Sequence, residues 1–243
     1  MERVRRAAHA GSWYTNNASK LDEQLEGWLK ATGLSKSPDV RGIIAPHAGY
    51  SYSGRCAAFA FANIDPANIS RVFLLGPSHH YYTPKCALTR ATVYKTPIGD
   101  LLVDLEVIEE LRATGKFELM DLHVDEAEHS MEMHLPYLAK VFHGFSYTYY
   151  DKQQGPIYKS IETLDRMAME IIETGDADAF KTYLQEYENT ICGRHPISVF
   201  LHMLKNCSTK IKIGFVQYEQ SSQCKSLKDS SVSYASAAAK VES

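Results

Sequence analysis

Between residues 18 and 32, Leu21, Leu25, Trp28 and Leu29 recur at helical spacing and predict an amphipathic helix. The next apolar run, Ile43-Ile44-Ala45, reads as a strand stopped by Pro46, which has no N–H to give a ladder. The small residues of SGRCAAFAFANI suit a helix packed closely on a sheet, with Tyr50 and Tyr52 of GYSYSG in the loop before it. RVFLL, residues 71–75, is a second strand of the buried type, broken by Gly76 and Pro77. Residues 42–76 therefore predict a βαβ unit, whose right-handed crossover makes its strands parallel and opens both carboxyl ends on one sheet edge.

The stretch CALTRATVYKTPIGDLLVD predicts a hairpin-like or extended excursion. Helical patterns cover residues 104–114, 130–142, 157–174, 176–186 and 196–205. KIKIGFVQY, residues 210–218, is the next strand, and SVSYASAAAKV is either a last strand or a frayed helix. No clear buried strand falls between residues 115 and 209, which is odd for a parallel α/β domain, where strands alternate with helices throughout. Neither a repeat nor a low-complexity linker divides the chain, so residues 1–243 read as one domain.

Composition narrows the class. With 44% hydrophobic and 23% charged residues the chain is an ordinary globular protein, and its formal charge of −3 leaves no electrostatic footprint for nucleic acid or an anionic membrane. No stretch approaches the length of a membrane-spanning helix, and MERVRRAAHAGSWY lacks the apolar core of a leader, so a cytosolic chain is expected. The five cysteines are odd in number and form no CxxC, which argues against a disulfide framework or a zinc finger. Each is thus open to three readings: thiolate ligand, nucleophile, or small buried hydrophobe.

The candidate chemistry gathers at strand ends. Read alone, His47 is a loop histidine beyond Pro46, but His79 and His80 of GPSHH follow the second strand in the same way, and ligands bind at the carboxyl ends of such strands. A third ligand is available in NTICGRHP, where Cys192 and His195 lie on a turn before a helix. A thiol near a helix start is expected to have a lowered pKa. His195 has a second reading as a cap or a supporting hydrogen-bond donor. DEAEHSMEMHLPY adds Glu128, His129, Glu132 and His134 at a helix entrance, either as a capped and solvated face or as acid/base or orienting groups; it is not HExxH. HAGSWYT contributes His9, Trp13 and Tyr14, as a pocket floor or as packing.

Taken together and in order, HAGSWY, IIAPHAGYSYSG, GPSHH, EHSMEMHLPY, YYDKQQGPIYKSIE, NTICGRHPI, QSSQC and DSSVSYA resemble the Memo family, mediators of ErbB-driven cell motility. The resemblance implies an αβα-layered, mainly parallel fold similar to the class III extradiol dioxygenases. It also implies a cytoplasmic signalling protein, with the nucleus as a second compartment, that joins receptor tyrosine kinases to cytoskeletal regulators. Such a protein binds phosphotyrosine-containing receptor or adaptor peptides and carries a redox-linked iron or copper site, with neither nucleic acid nor membrane insertion among its partners. Carried over by motif, the metal ligands are His47, His79 and Cys192 and the pocket aromatics are Trp13 and Tyr14; His80 and His195, read from the sequence, are the other expected pocket residues. One departure matters: at His143-Gly144-Phe145 the family pattern carries roughly fifty further residues, with two strands and a helix between them. Their absence accounts for the strandless stretch, leaves the sheet incomplete, and suggests an isoform or a gene-model error. Two other readings stay open. One is an iron-dependent dioxygenase with His129 or His134 as proton shuttle; the other is thiol chemistry by Cys192 with His79 or His195 as base.

Overall fold

The computed structural model describes residues 3–143, 157–187, 189, 191–223 and 231–242. In chain order it begins with β1 (Val4–Arg5), α1 (Ala18–Ala31), β2 (Val40–Ile44) and α2 (Tyr50–Phe61). Three short strands follow, β3 (Cys86–Leu88), β4 (Val93–Tyr94) and β5 (Leu101–Leu102), then α3 (Leu105–Ala113) and β6 (Phe117–Leu119). Next come α4 (Leu122–Ala127), α5 (His129–Glu132), α6 (Leu135–His143), α7 (Ile157–Glu173), α8 (Ala177–Tyr187) and α9 (Arg194–Lys205). The chain closes with β7 (Ile211–Gln220) and β8 (Ser233–Val241).

α1 forms where expected, because the Asn17 side-chain oxygen accepts the Lys20 N–H at 2.9 Å and Leu21, Leu25 and Leu29 all face inward. Leu21 and Leu25 are fully buried, worth about 1.5–3 kcal/mol each. α1 lies close on α2, since a Cβ on Gly54 would collide with the Trp28 ring.

The C-terminal segment resolves as a strand. β8 sits at the centre of the largest sheet, antiparallel to both β2 and β7, while the parallel pairs are β1 with β4 and β3 with β6. Alternation along that sheet serves two cores. Ile43 and Ala238 belong to the layer of α1, α2 and α6, and Ile44, Ala237 and Ala239 to the layer of α7, α8 and α9. The molecule is therefore α/β with helices on both faces of this sheet.

Two expectations need correction. RVFLL joins no sheet among the described residues, and Val72, Phe73 and Leu75 are 50%, 62% and 42% exposed. A run of apolar residues signals a need for burial, and without a neighbouring strand that need is unmet, so the second half of the expected βαβ unit does not form. Tyr50 and Tyr52 lie in the first turn of α2 rather than in a loop. That helix starts without a side-chain cap because Trp13 O accepts the Tyr50 N–H at 2.9 Å. YYDKQQGPI up to α7, Cys224 and the junction Gly144-Phe145 lie outside the described residues. Among the described residues no helix is long and apolar enough to cross a membrane.

Candidate metal centre

His47 and His79 both approach Cys192, although the second strand expected to deliver His79 does not form. His47 is carried by the link from β2 to α2, which is pinned from both sides: Tyr50 N–H donates to Trp13 O, and Ser53 Oγ donates to Ala48 O at 2.8 Å. His79 is carried by the loop after Gly76, where a Cβ would fall 2.8 Å from both Met131 Sδ and Ser130 Oγ, so only glycine lets the loop press on α5. Ser130 Oγ then donates to Pro77 O at 2.7 Å. Cys192 stands just ahead of α9, whose Phe200 ring packs 3.1 Å from where a Cβ on Gly42 would lie and so holds that helix against β2.

The result is a compact donor set. Cys192 Sγ lies 3.1 Å from His79 Nε2 and 3.5 Å from His47 Nε2, and the three ligand atoms fall within 4.8 Å of one another. His79 is oriented from behind by Glu128, whose Oε1 is 2.8 Å from His79 Nδ1 and whose Oε2 accepts the His79 backbone N–H at 2.6 Å. Burial would raise the Glu128 pKa, but hydrogen bonds from His79 and Ser130 outweigh it and bring it down to about 2. An ionised carboxylate only accepts, so the imidazole proton sits on Nδ1 and the Nε2 lone pair faces Cys192.

The surroundings keep His47 neutral. Burial, with His129 and His79 adding like charge, lowers its pKa to about 4. His129 stacks on His79 at 4.2 Å between ring centres and on Trp13 at 4.4 Å, and burial lowers its pKa too. A second group of His79, Glu128 and His129 also converges within 4.8 Å, but it shares His79, and Glu128 already accepts from His79 and Ser130.

Other expected residues land elsewhere. Tyr14 is buried and donates to Glu132 Oε1 at 2.8 Å, beneath the cluster rather than in an open pocket wall. His134 is buried against Phe61, with its pKa lowered to about 3 by burial, and belongs to an apolar cavity that it shares with His47. It makes no contact with His79 or Cys192. His80 is exposed, as is His195 in the first turn of α9, and neither contacts the donor atoms. The Cys192 thiol departs from expectation: the residue is exposed, yet partial desolvation pushes its pKa up and the nearby Arg194 charge offsets only part of this. The helix-start argument loses to that desolvation, which also weakens the nucleophile reading.

Sequence reasoning missed Arg5. Fully buried, it directs all five N–H donors to acceptors: Nε to Asp125 Oδ1 at 2.9 Å, Nη1 to Glu132 Oε2 and Arg6 O, and Nη2 to Asp125 O and Glu128 O. Glu132 continues the network to His9, accepting its backbone N–H at 2.8 Å and lying 2.9 Å from its Nδ1. Glu128 and Glu132, four residues apart, thus serve different groups. No local signal marks Arg5, whose carboxylate partners lie more than a hundred residues along the chain.

The sequence profile described as "Memo-like protein" matches residues 5–147 and 143–238. Protein MEMO1 of Xenopus laevis is 45% identical over 287 aligned positions, covering 96% of both chains, and Protein MEMO1 of Homo sapiens is 43% identical with the same coverage. Protein memo-1 homolog of Caenorhabditis elegans is 38% identical over 288 positions, covering 97% of this chain and 82% of its own. Since 287 positions exceed the 243 residues present, these relatives carry residues with no counterpart here.

Proposed function

The chain belongs to the Memo-like family, and on that premise we propose that it is a metal-binding signalling protein whose His47, His79 and Cys192 hold iron or copper. The observation that carries the reading is the convergence of two imidazole Nε2 atoms on one sulfur, at 3.1 and 3.5 Å. Two imidazoles and a thiolate form a borderline-soft set, suited to copper, iron or zinc rather than magnesium or calcium. The metal would supply one-electron redox chemistry. The protein's own groups prepare the site: Glu128 fixes the His79 tautomer, burial holds His47 neutral, and metal binding would have to draw the proton from Cys192. Reconstitution with Fe(II) or Cu followed by metal analysis tests the assignment, with about one equivalent expected on the wild type and most of it lost in Cys192→Ala. Equal metal content in the two proteins removes Cys192 from the site.

The link from receptor tyrosine kinases to the cytoskeleton is proposed from the family resemblance, with a phosphotyrosine peptide as the ligand beside Trp13. Titration of such a peptide, weakened by Trp13→Ala, is the expected result; an unphosphorylated peptide binding equally well would refute it.

One observation favours a second reading, a non-haem iron oxygenase. His79, Glu128 and His129 supply two histidines and one carboxylate, the donor types of a facial triad. It ranks lower because Glu128 is already engaged. Oxygen uptake with a catechol that persists in Cys192→Ala and disappears in His129→Ala would reverse the ranking.

A further inference from the structure

Along the free edge of β2 lies a cavity of about 310 Å³ whose lining includes His47 but neither His79 nor Cys192. The whole run Val40–Ala45 lines one side of it and Arg71–Leu75 lines another, yet among the described residues β2 pairs only with β8, and RVFLL pairs with nothing. Both helical layers close over the gap: Phe61, Leu138 and Phe142 come from one, Ile197, Phe200 and Met203 from the other. In the cavity wall is also a buried polar atom without a partner among the described residues, His134 Nδ1. An orphaned nitrogen, an unpaired sheet edge and an exposed apolar row in one place describe a seat for polypeptide.

The comparisons indicate which polypeptide. The family profile matches in two pieces that meet at residues 143–147, and the relatives are longer than this chain by the aligned positions that have no counterpart here. That junction follows directly on α6, whose Leu138 and Phe142 stand in the cavity wall, so in a longer relative the additional residues set out from its mouth.

We propose that this cleft binds an extended apolar strand from a second polypeptide, in the place where the longer relatives carry additional residues. The strand pairs with β2 on one side and with residues 71–75 on the other. Its chemistry follows from the walls. Because helices cover both faces, the occupant is an unbroken apolar run, not an alternating one, and five or six residues match the two flanking stretches. It also offers one hydrogen-bonding group to His134. Backbone pairing would provide affinity and the apolar walls selectivity, as in other strand additions.

The test uses the full chain and a synthetic peptide with the residues that the Xenopus laevis relative carries opposite the gap. Calorimetry and hydrogen exchange should show saturable one-to-one binding, together with slowed exchange at residues 41–44 and 71–75. Phe73→Asp should weaken binding at least tenfold. Phe73 is exposed in the free chain, so this variant keeps its fold, which its unchanged circular dichroism would verify. The proposal is overturned if the peptide does not bind, if a scrambled peptide binds equally, or if Phe73→Asp binds as well as the wild type. A stable dimer of the free chain by sedimentation, with the same residues protected and no peptide bound, would overturn it in favour of a second copy.

Discussion

His47 stands between two regions that treat polar groups in opposite ways. On the N-terminal side, Arg5 satisfies five donors, Glu132 accepts from Arg5, His9 and Tyr14, and Glu128 accepts from His79 and Ser130. On the other side, among the described residues, β2 has an unpaired edge, Phe73 is open to solvent and His134 Nδ1 has no partner. The first region is built from residues 3–14, His79 and residues 120–134, all present; the second needs a strand between two others. A hydrogen-bond network closes wherever its members exist, whereas a sheet closes only if its neighbours are supplied.

The largest expected effect is in the closed region. Glu132→Ala leaves Arg5 buried with Asp125 as its only carboxylate, and breaking a buried pair in this way costs about 3–5 kcal/mol. Urea unfolding measures it, and a loss near zero would mean that the network adds nothing net. The acid limb gives the same contrast. Burial would raise the Glu132 pKa, but Arg5 and His9 hold it below the ordinary 4.5. A carboxylate depressed by folding stabilises the protein above its unfolded pKa, and that stability is lost as pH falls through the lower folded value. Wild type should therefore lose stability below about pH 4.5, and Glu132→Gln should show a flatter acid limb.

A smaller effect is expected where the closed region meets the donor set. Glu128→Gln keeps the shape but removes the charge that fixes the His79 proton on Nδ1. Iron or copper affinity should fall about 10–100-fold, as for other groups that orient a metal-bound imidazole. Competition against a chelator reads this out, and a matching loss in thermal stability of the metal-free protein would show that Glu128 acts only on the fold.

Much of this was visible in the sequence, for reasons that particular residues make clear. α1 was legible because Leu21, Leu25 and Leu29 carry its period, and His47 because Pro46 marks a strand end. The pairing of His47 with His79 followed from parallel strands, yet in the structure the loop carrying His79 is held by Gly76, Ser130 and Glu128 without the second strand. Hydrophobic pattern reports how much a segment gains from burial and is silent on whether a neighbour is there, which is why RVFLL was misjudged. Arg5 was invisible because its role depends on distant acceptors. For Cys192 the helix start was read correctly, but the cost of burial could not be.

The smallest expected effect discriminates best. In a filled core a phenylalanine truncated to alanine costs about 3–5 kcal/mol, because contacts are lost and a cavity is left behind. Phe73 is 62% exposed here, so Phe73→Ala should change the stability of the free chain by no more than about 0.5 kcal/mol. The equivalent change in a longer relative, measured in the same urea series, should approach the full core penalty. If the free chain also loses several kcal/mol, the cleft is already filled in solution and the contrast between the two sides of His47 disappears. If neither protein responds, the longer relatives leave this wall open as well. A difference of several kcal/mol between the two proteins at this one side chain would measure directly what an absent neighbour removes from an otherwise intact apolar strand.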